Sequence, residues 1–164
     1  MIDMTEDIYW EDTEYIKLNR RLLISLGFPL GDIGALSDIG LPDWAAPNIN
    51  FDYYEAEKNR LKLGEDRNDK DIFVSFSSFK VLVGDNEKMV NSSALQLRKA
   101  LQKYAIMVER ALLQNDNAVI ENQIAGEFIE EFRLQLSELD PSSILAGTFW
   151  SEEINRLSSH LTDS

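Results

Sequence analysis

Four stretches of this 164-residue chain gather residue types that do chemistry, and in each the spacing argues against it. Glu127, Glu130 and Glu131 form a carboxylate cluster of the kind used for metal binding or general acid–base work. Glu127 and Glu131 stand four apart, opposite Phe128 and Phe132, so they read as the solvated side of an amphipathic helix. Asp66-Arg67-Asn68-Asp69-Lys70-Asp71 resembles the start of a calcium loop, but the sixth position is not glycine and the twelfth is not glutamate. His160 is the only histidine and there is no cysteine, which removes zinc sites, thiolate nucleophiles and disulfides. Gly31 and Gly34 lack the preceding strand and the lysine of a phosphate loop. The chain reads as a non-enzyme with no catalytic residue, no metal and no cofactor.

The elements that hold these residues are legible from apolar period and punctuation. Tyr15, Leu18, Leu22, Leu23 and Leu26 recur at helical spacing over Asp12 to Leu26, and Gly27-Phe28-Pro29 stops the run. A short second helix is expected from about Gly31 to Ile39, ended by Gly40 with Pro42 beyond. Between Asn48 and Asn91 the period changes to two, in Ile49/Phe51/Tyr53, Leu61/Leu63, Ile72/Val74/Phe76, Phe79/Val81/Val83 and Met89 with Val90. Short polar joins between these runs predict an antiparallel meander of four to six strands. Ser93 then stands as helix N-cap with Gln96 three places on, a capping box, ahead of a long helix carrying Leu97, Ala100, Leu101, Tyr104, Met107, Val108, Ala111 and Leu112 on one face. Arg98, Lys99, Gln102 and Lys103 fall off that face. A further helix is expected over Val119 to Leu139, ended by Asp140-Pro141 with Asp140 as the next cap. A last helix spans about Phe149 to Leu161, with Trp150 in its core face. The fold class is α+β, with an antiparallel sheet in the middle of the chain flanked by N-terminal and C-terminal helices, in a single domain over residues 1–164.

Charge is the strongest compositional signal, with a formal net of −13. Residues 1–14 hold six acids and no base, and read as an acidic N-terminal arm. Residues 31–57 hold Asp32, Asp38, Asp43, Asp52, Glu55 and Glu57, again with no Lys or Arg. Such a field repels nucleic acid and anionic lipid, and it speeds encounter with a cationic protein. The bland alternative is that the acids only keep the chain soluble. The start is acidic where a signal peptide would be basic and no apolar run is long enough to span a bilayer, so a cytoplasmic protein, read as a monomer, is expected. Trp10, Trp44, Tyr53 and Tyr54 lie within or beside the acidic segments, the setting of binding anchors. Asp43, Trp44, Asp52, Tyr54, Glu55 and Glu57 are therefore the candidate partner-binding residues.

Gly40-Leu41-Pro42, Phe51, Leu63-Gly64, Ile72, Val81, Val90-Asn91-Ser92-Ser93, Asp140-Pro141 and Phe149-Trp150 occur in an order and spacing that resembles the SUKH superfamily of bacterial immunity proteins, most closely its fourth family. The resemblance spans about residues 20 to 157. Two features depart from it: the hairpin Phe76-Ser77-Ser78-Phe79 is not glycine-rich, and residues 1–14 have no counterpart. The resemblance implies a non-enzymatic protein that binds and neutralises a cognate toxin domain, often a nuclease or nucleic acid deaminase, inside the cell that makes it. Such toxins are cationic because they bind phosphate backbones. The alternative is a regulatory or scaffold protein of the same fold that binds a cellular protein.

Overall fold

A long central helix and an antiparallel sheet meet at residues 91–94, and the rest of the chain is arranged around that junction. The computed structural model describes residues 14–51 and 54–161. Trp10, Asp52, Tyr53 and the expected arm up to residue 13 lie outside the described residues. The described elements run β1 (Tyr15–Ile16), α1 (Arg20–Ser25), α2 (Leu30–Ile33), β2 (Leu41–Pro42), β3 (Trp44–Ala45), β4 (Ile49–Asn50) and β5 (Glu55–Ala56). They continue with β6 (Arg60–Glu65), β7 (Asp71–Ser75), β8 (Val81–Val83), β9 (Lys88–Asn91), α3 (Ala94–Gln114), α4 (Gly126–Leu139) and α5 (Phe149–Ser158).

The fold is α+β, as the order of periods requires. The main sheet runs β3-β4-β6-β7-β8-β9 with β5 on the β6 edge, and every pairing is antiparallel. The main sheet thus has seven strands among the described residues, one more than the expected four to six, and β3, β4 and β5 are each two residues long. Leu61, Leu63, Ile72, Val74, Val81, Val83 and Val90 face the helices and are buried with Leu97, Leu101, Phe132 and Trp150. The other face of the sheet carries the cross-strand row Lys62, Phe73, Leu82 and Met89, with the Arg60 guanidinium 4.5 Å from the centre of the Phe73 ring. Gly64 allows the sheet to close, because a Cβ there would lie 2.0 Å from the Asn50 carbonyl oxygen on β4.

Several sequence expectations are corrected. The expected helix over Asp12 to Leu26 is, where described, a strand followed by one and a half helical turns: Tyr15 and Ile16 pair with Pro42 and Leu41, and Asn19 caps Arg21 and Leu22 to start α1. The second helix is α-helical only to Ile33 and continues as a π-helical turn over Gly34–Ile39 before Gly40 turns at φ +88°. Gly40 cannot be replaced cheaply there, since a Cβ would meet the Ile16 carbonyl oxygen at 2.6 Å. The helix expected from Val119 begins only at Gly126; the preceding residues turn, leaving Val119 46 % and Ile120 86 % exposed. Arg98 and Gln102 are buried, because the π-helical turn packs on the flank of α3 that its pattern assigned to water; Arg98 Nε donates to the Gly40 carbonyl at 3.1 Å. The α3 cap is half a capping box. Ser93 Oγ accepts from the Gln96 amide at 3.2 Å, but the Gln96 side chain turns away, accepting from Ser93 Oγ and donating to the Leu139 carbonyl. The reciprocal box stands instead at Thr148 and Ser151, opening α5.

The junction at residues 91–93 is held from both sides by acids. Asp140 does not cap the turn after it with its side chain. Its carboxylate, 1 % exposed, accepts from Asn91 Nδ2 at 3.0 Å, the Ser92 amide at 2.8 Å and Ser92 Oγ at 2.6 Å. Asn91 Oδ1 in turn accepts from Trp150 Nε1 at 3.0 Å, and Trp150 packs among Tyr104, Phe132 and Phe149. On the other side Asp32, counted by its sequence neighbourhood as a surface acid, is buried against the start of α3 and its Oδ1 accepts from the Leu95 amide at 3.1 Å. Its Oδ2 has no hydrogen-bond partner among the described residues.

Burial raises the Asp32 pKa above the ordinary carboxylate value, against the lowering effect of the Leu95 and Ala94 amides. The folded chain therefore holds this proton at pH values where the unfolded chain, titrating near 4, has released it. Its stabilising contribution is complete below that value and is lost as pH rises through the folded pKa. Asp32→Asn is expected to flatten this part of the stability profile. Urea unfolding of both proteins from pH 4 upward measures it, and parallel profiles would refute the assignment.

Candidate partner-binding surface

Among the described residues, Trp44 is the most exposed aromatic side chain. It pairs with Asn50 in the β3–β4 hairpin, whose turn, Ala46-Pro47-Asn48, carries Asn48 at φ +68°. Trp44 Nε1 donates to Asn48 Oδ1 at 3.0 Å, so the indole is fixed although it is 48 % exposed. Asp43 beside it is exposed, and its backbone is tied to Glu14 and Phe51.

The remaining candidates divide. Glu55 and Glu57 are exposed along the edge of β6 that also carries β4, since β4 and β5 both pair with β6, at Glu65 and at Lys62 and Leu61. At about 3.3 Å per residue these meeting points lie roughly 10 Å apart, within the footprint of one protein contact. Glu57 is partly neutralised by Arg60 Nε at 3.1 Å. Tyr54 is different: its hydroxyl donates to the Ile16 carbonyl at 2.7 Å, and burial pushes its pKa up, so it ties β1 to the sheet edge and presents no free hydroxyl to a partner. Asp52 lies outside the described residues.

Glycines and turns named by the sequence motifs work as structure. Gly40, Leu41, Pro42 and Gly64 shape the β1–β2 layer and the β4–β6 contact. Asn91, Ser92, Asp140 and Trp150 meet in one buried network, with Ser93 capping α3 and Pro141 opening a turn of 3-10 helix. Of the carboxylates singled out for possible chemistry, Glu130 pairs with Arg133 and Glu131 with Arg110 at 2.5 Å, while Asp66 is buried and its Oδ1 accepts from the Asn68 and Lys70 amides. Arg133 holds the Glu130 carboxyl below its usual range.

Behind Trp44 lies a pocket of about 320 Å³ that sequence reasoning did not find. Val108, Val119, Ile124 and Leu157 form its apolar walls, and its charged lining consists of Arg67 and Arg156. Both guanidinium groups converge on Glu153, which is 6 % exposed: Arg67 Nη2 donates at 2.9 Å, Arg156 Nε and Nη2 at 2.9 and 2.8 Å, and the Tyr104 hydroxyl at 2.5 Å. Burial first, and then the Glu153 charge, push the Tyr104 pKa up. Only the Glu153–Arg156 spacing of three was visible in sequence; Arg67 lies 86 residues from Glu153.

Among the described residues, no helix is long and apolar enough to cross a membrane. Comparison with protein-family models, curated proteins and solved structures returns no match to this chain.

Proposed function

We propose that this chain is an immunity protein of SUKH type, a non-enzymatic α+β domain that binds a cationic toxin domain and neutralises it inside the producing bacterial cell. The observation that carries the reading is the fixed, half-exposed Trp44 beside Asp43, on a sheet edge that also exposes Glu55 and Glu57. An aromatic anchor with a carboxylate beside it and two more exposed along the same sheet edge suits a surface that evolved to bind phosphate, as in a nuclease or a nucleic acid deaminase. The family-like motifs also support it. Asn91, Ser92, Asp140 and Trp150 are four scattered sequence signals but one hydrogen-bonded unit, which gives their shared spacing a physical reason.

The test is co-expression with the toxin domain encoded directly upstream of the gene, read as restored growth, followed by affinity at two salt concentrations. Neutralising Asp43, Asp52, Glu55 and Glu57 together as amides is expected to weaken binding about tenfold at low salt and to flatten its salt dependence. Binding that ignores salt and survives this fourfold change would remove the reading, and the absence of any toxin gene nearby would favour a regulatory protein.

A further inference from the structure

The Trp44 pocket combines features that the binding of a toxin surface does not require. Its walls are apolar, yet the charged groups lining it are both arginines, in a chain with 29 acids against 16 Lys and Arg. Glu153 is the carboxylate that engages both guanidinium groups, and Asp66 and Glu152, the latter paired with Lys88, border the same arginines in the adjoining cavity and not in this pocket. A guanidinium carries five N–H donors. The described contacts engage Nη2 of Arg67, to Glu153 and the Pro47 carbonyl, and Nε and Nη2 of Arg156. Donors therefore remain on both side chains, and their planes are held in advance by a buried glutamate that is itself fixed by Tyr104.

We propose that this pocket binds a small apolar organic acid, with its hydrocarbon or aryl group against Trp44, Val108, Val119 and Leu157 and its carboxylate accepting hydrogen bonds from Arg67 and Arg156. The volume of about 320 Å³ lies at the small end of ligand pockets, enough for a free acid of about a dozen heavy atoms and too little for an extended peptide. A cation is disfavoured by the paired arginines, and a bare inorganic anion leaves the apolar walls empty. The inference stands on the pocket alone and needs no toxin partner.

Calorimetric titration of the full chain with 4-phenylbutyrate and with the neutral 4-phenyl-1-butanol tests it. The acid is expected to bind with a sub-millimolar Kd and the alcohol at least tenfold more weakly. Arg156→Gln is expected to weaken the acid at least tenfold and leave the alcohol unchanged. Val119→Trp, which fills the pocket from an exposed turn and so spares the fold, is expected to abolish binding of both. Equal affinity for acid and alcohol, an acid that does not bind, or acid binding that survives either substitution would each overturn the proposal. So would a peptide ending in phenylalanine that binds tenfold more tightly than the free acid. Because toxin binding is not measured, failure here leaves the immunity reading standing, and failure of that reading leaves the pocket standing.

Discussion

Asp140→Ala is expected to lower folding stability by about 4 kcal/mol and the melting temperature by roughly 10 °C. The carboxylate is almost fully buried and receives three hydrogen bonds, all from residues 91 and 92. Hydrogen bonds to a charged group contribute about 1.5–3 kcal/mol each, and the cost of removal is greater when the donors left behind cannot reach water. Alanine strands the Ser92 amide and Asn91 Nδ2 in the interior. Asn91 is also the partner of Trp150 Nε1, so the damage passes to the aromatic cluster that fastens α5 to α3 and α4. Asp140→Asn separates charge from shape: it keeps an acceptor but turns an amide toward donors, and roughly half of the loss is expected. Urea and thermal unfolding measure both. An Asp140→Ala protein melting within 2 °C of the parent would show that the network is ornamental. A double-mutant cycle with Asn91→Ala then apportions the effect, and strong non-additivity is expected because the two side chains share one network.

How much of this could be read in advance depends on the range of the interaction. The α+β class, the β6–β9 meander and the long α3 helix rest on periodicity and local caps, and Leu61 to Val83 and Leu97 to Ala111 carry those signals without interruption. Of the two-residue strands, β4 lies in the Ile49/Phe51/Tyr53 alternation, whereas β1, β2, β3 and β5 fall in no period-two run. Tyr15 and Ile16 continue a helical spacing into Leu18 and Leu22, yet pair with Leu41 and Pro42, so tertiary pairing overrides local pattern. Val119 and Ile120 likewise extend the apolar period of α4 outward into solvent. At the surface, Trp44 and Asp43 stand out in the sequence because an aromatic and a charge are adjacent, and both side chains are exposed. Tyr54 was not separable from them, because only its contact with Ile16, 38 residues away, reveals a structural role. The arginine pocket was illegible for the same reason: Arg67 belongs to a turn after β6, Arg156 to α5, and the carboxylate that joins them is buried. Asp32 shows the converse error, an acid counted with a charged surface whose carboxylate serves the start of α3.

Trp44→Ala is expected to weaken toxin binding by 100- to 1000-fold while leaving the fold within about 1 kcal/mol of the parent. The two effects separate because the indole is half-exposed and its hydrogen bond runs to Asn48 within its own hairpin. A partner that covers it would desolvate both ring faces, and a buried tryptophan at an interface centre carries about 3–4 kcal/mol of truncation cost. The acidic residues of this edge act differently. Asp43, Glu55 and Glu57 are exposed and therefore screened, so neutralising them is expected to slow association and to flatten the salt dependence. Loss of Trp44 is expected to appear almost wholly as faster dissociation, with the salt slope intact. Stopped-flow association and dissociation rates for the two variants therefore distinguish an anchored interface from one steered by charge alone. If Trp44→Ala bound within threefold of the parent while the charge-neutralised variant lost most of its affinity, Trp44 would not be the anchor. Binding of the toxin would then fall to the β5 side of the edge, around Glu55 and Glu57.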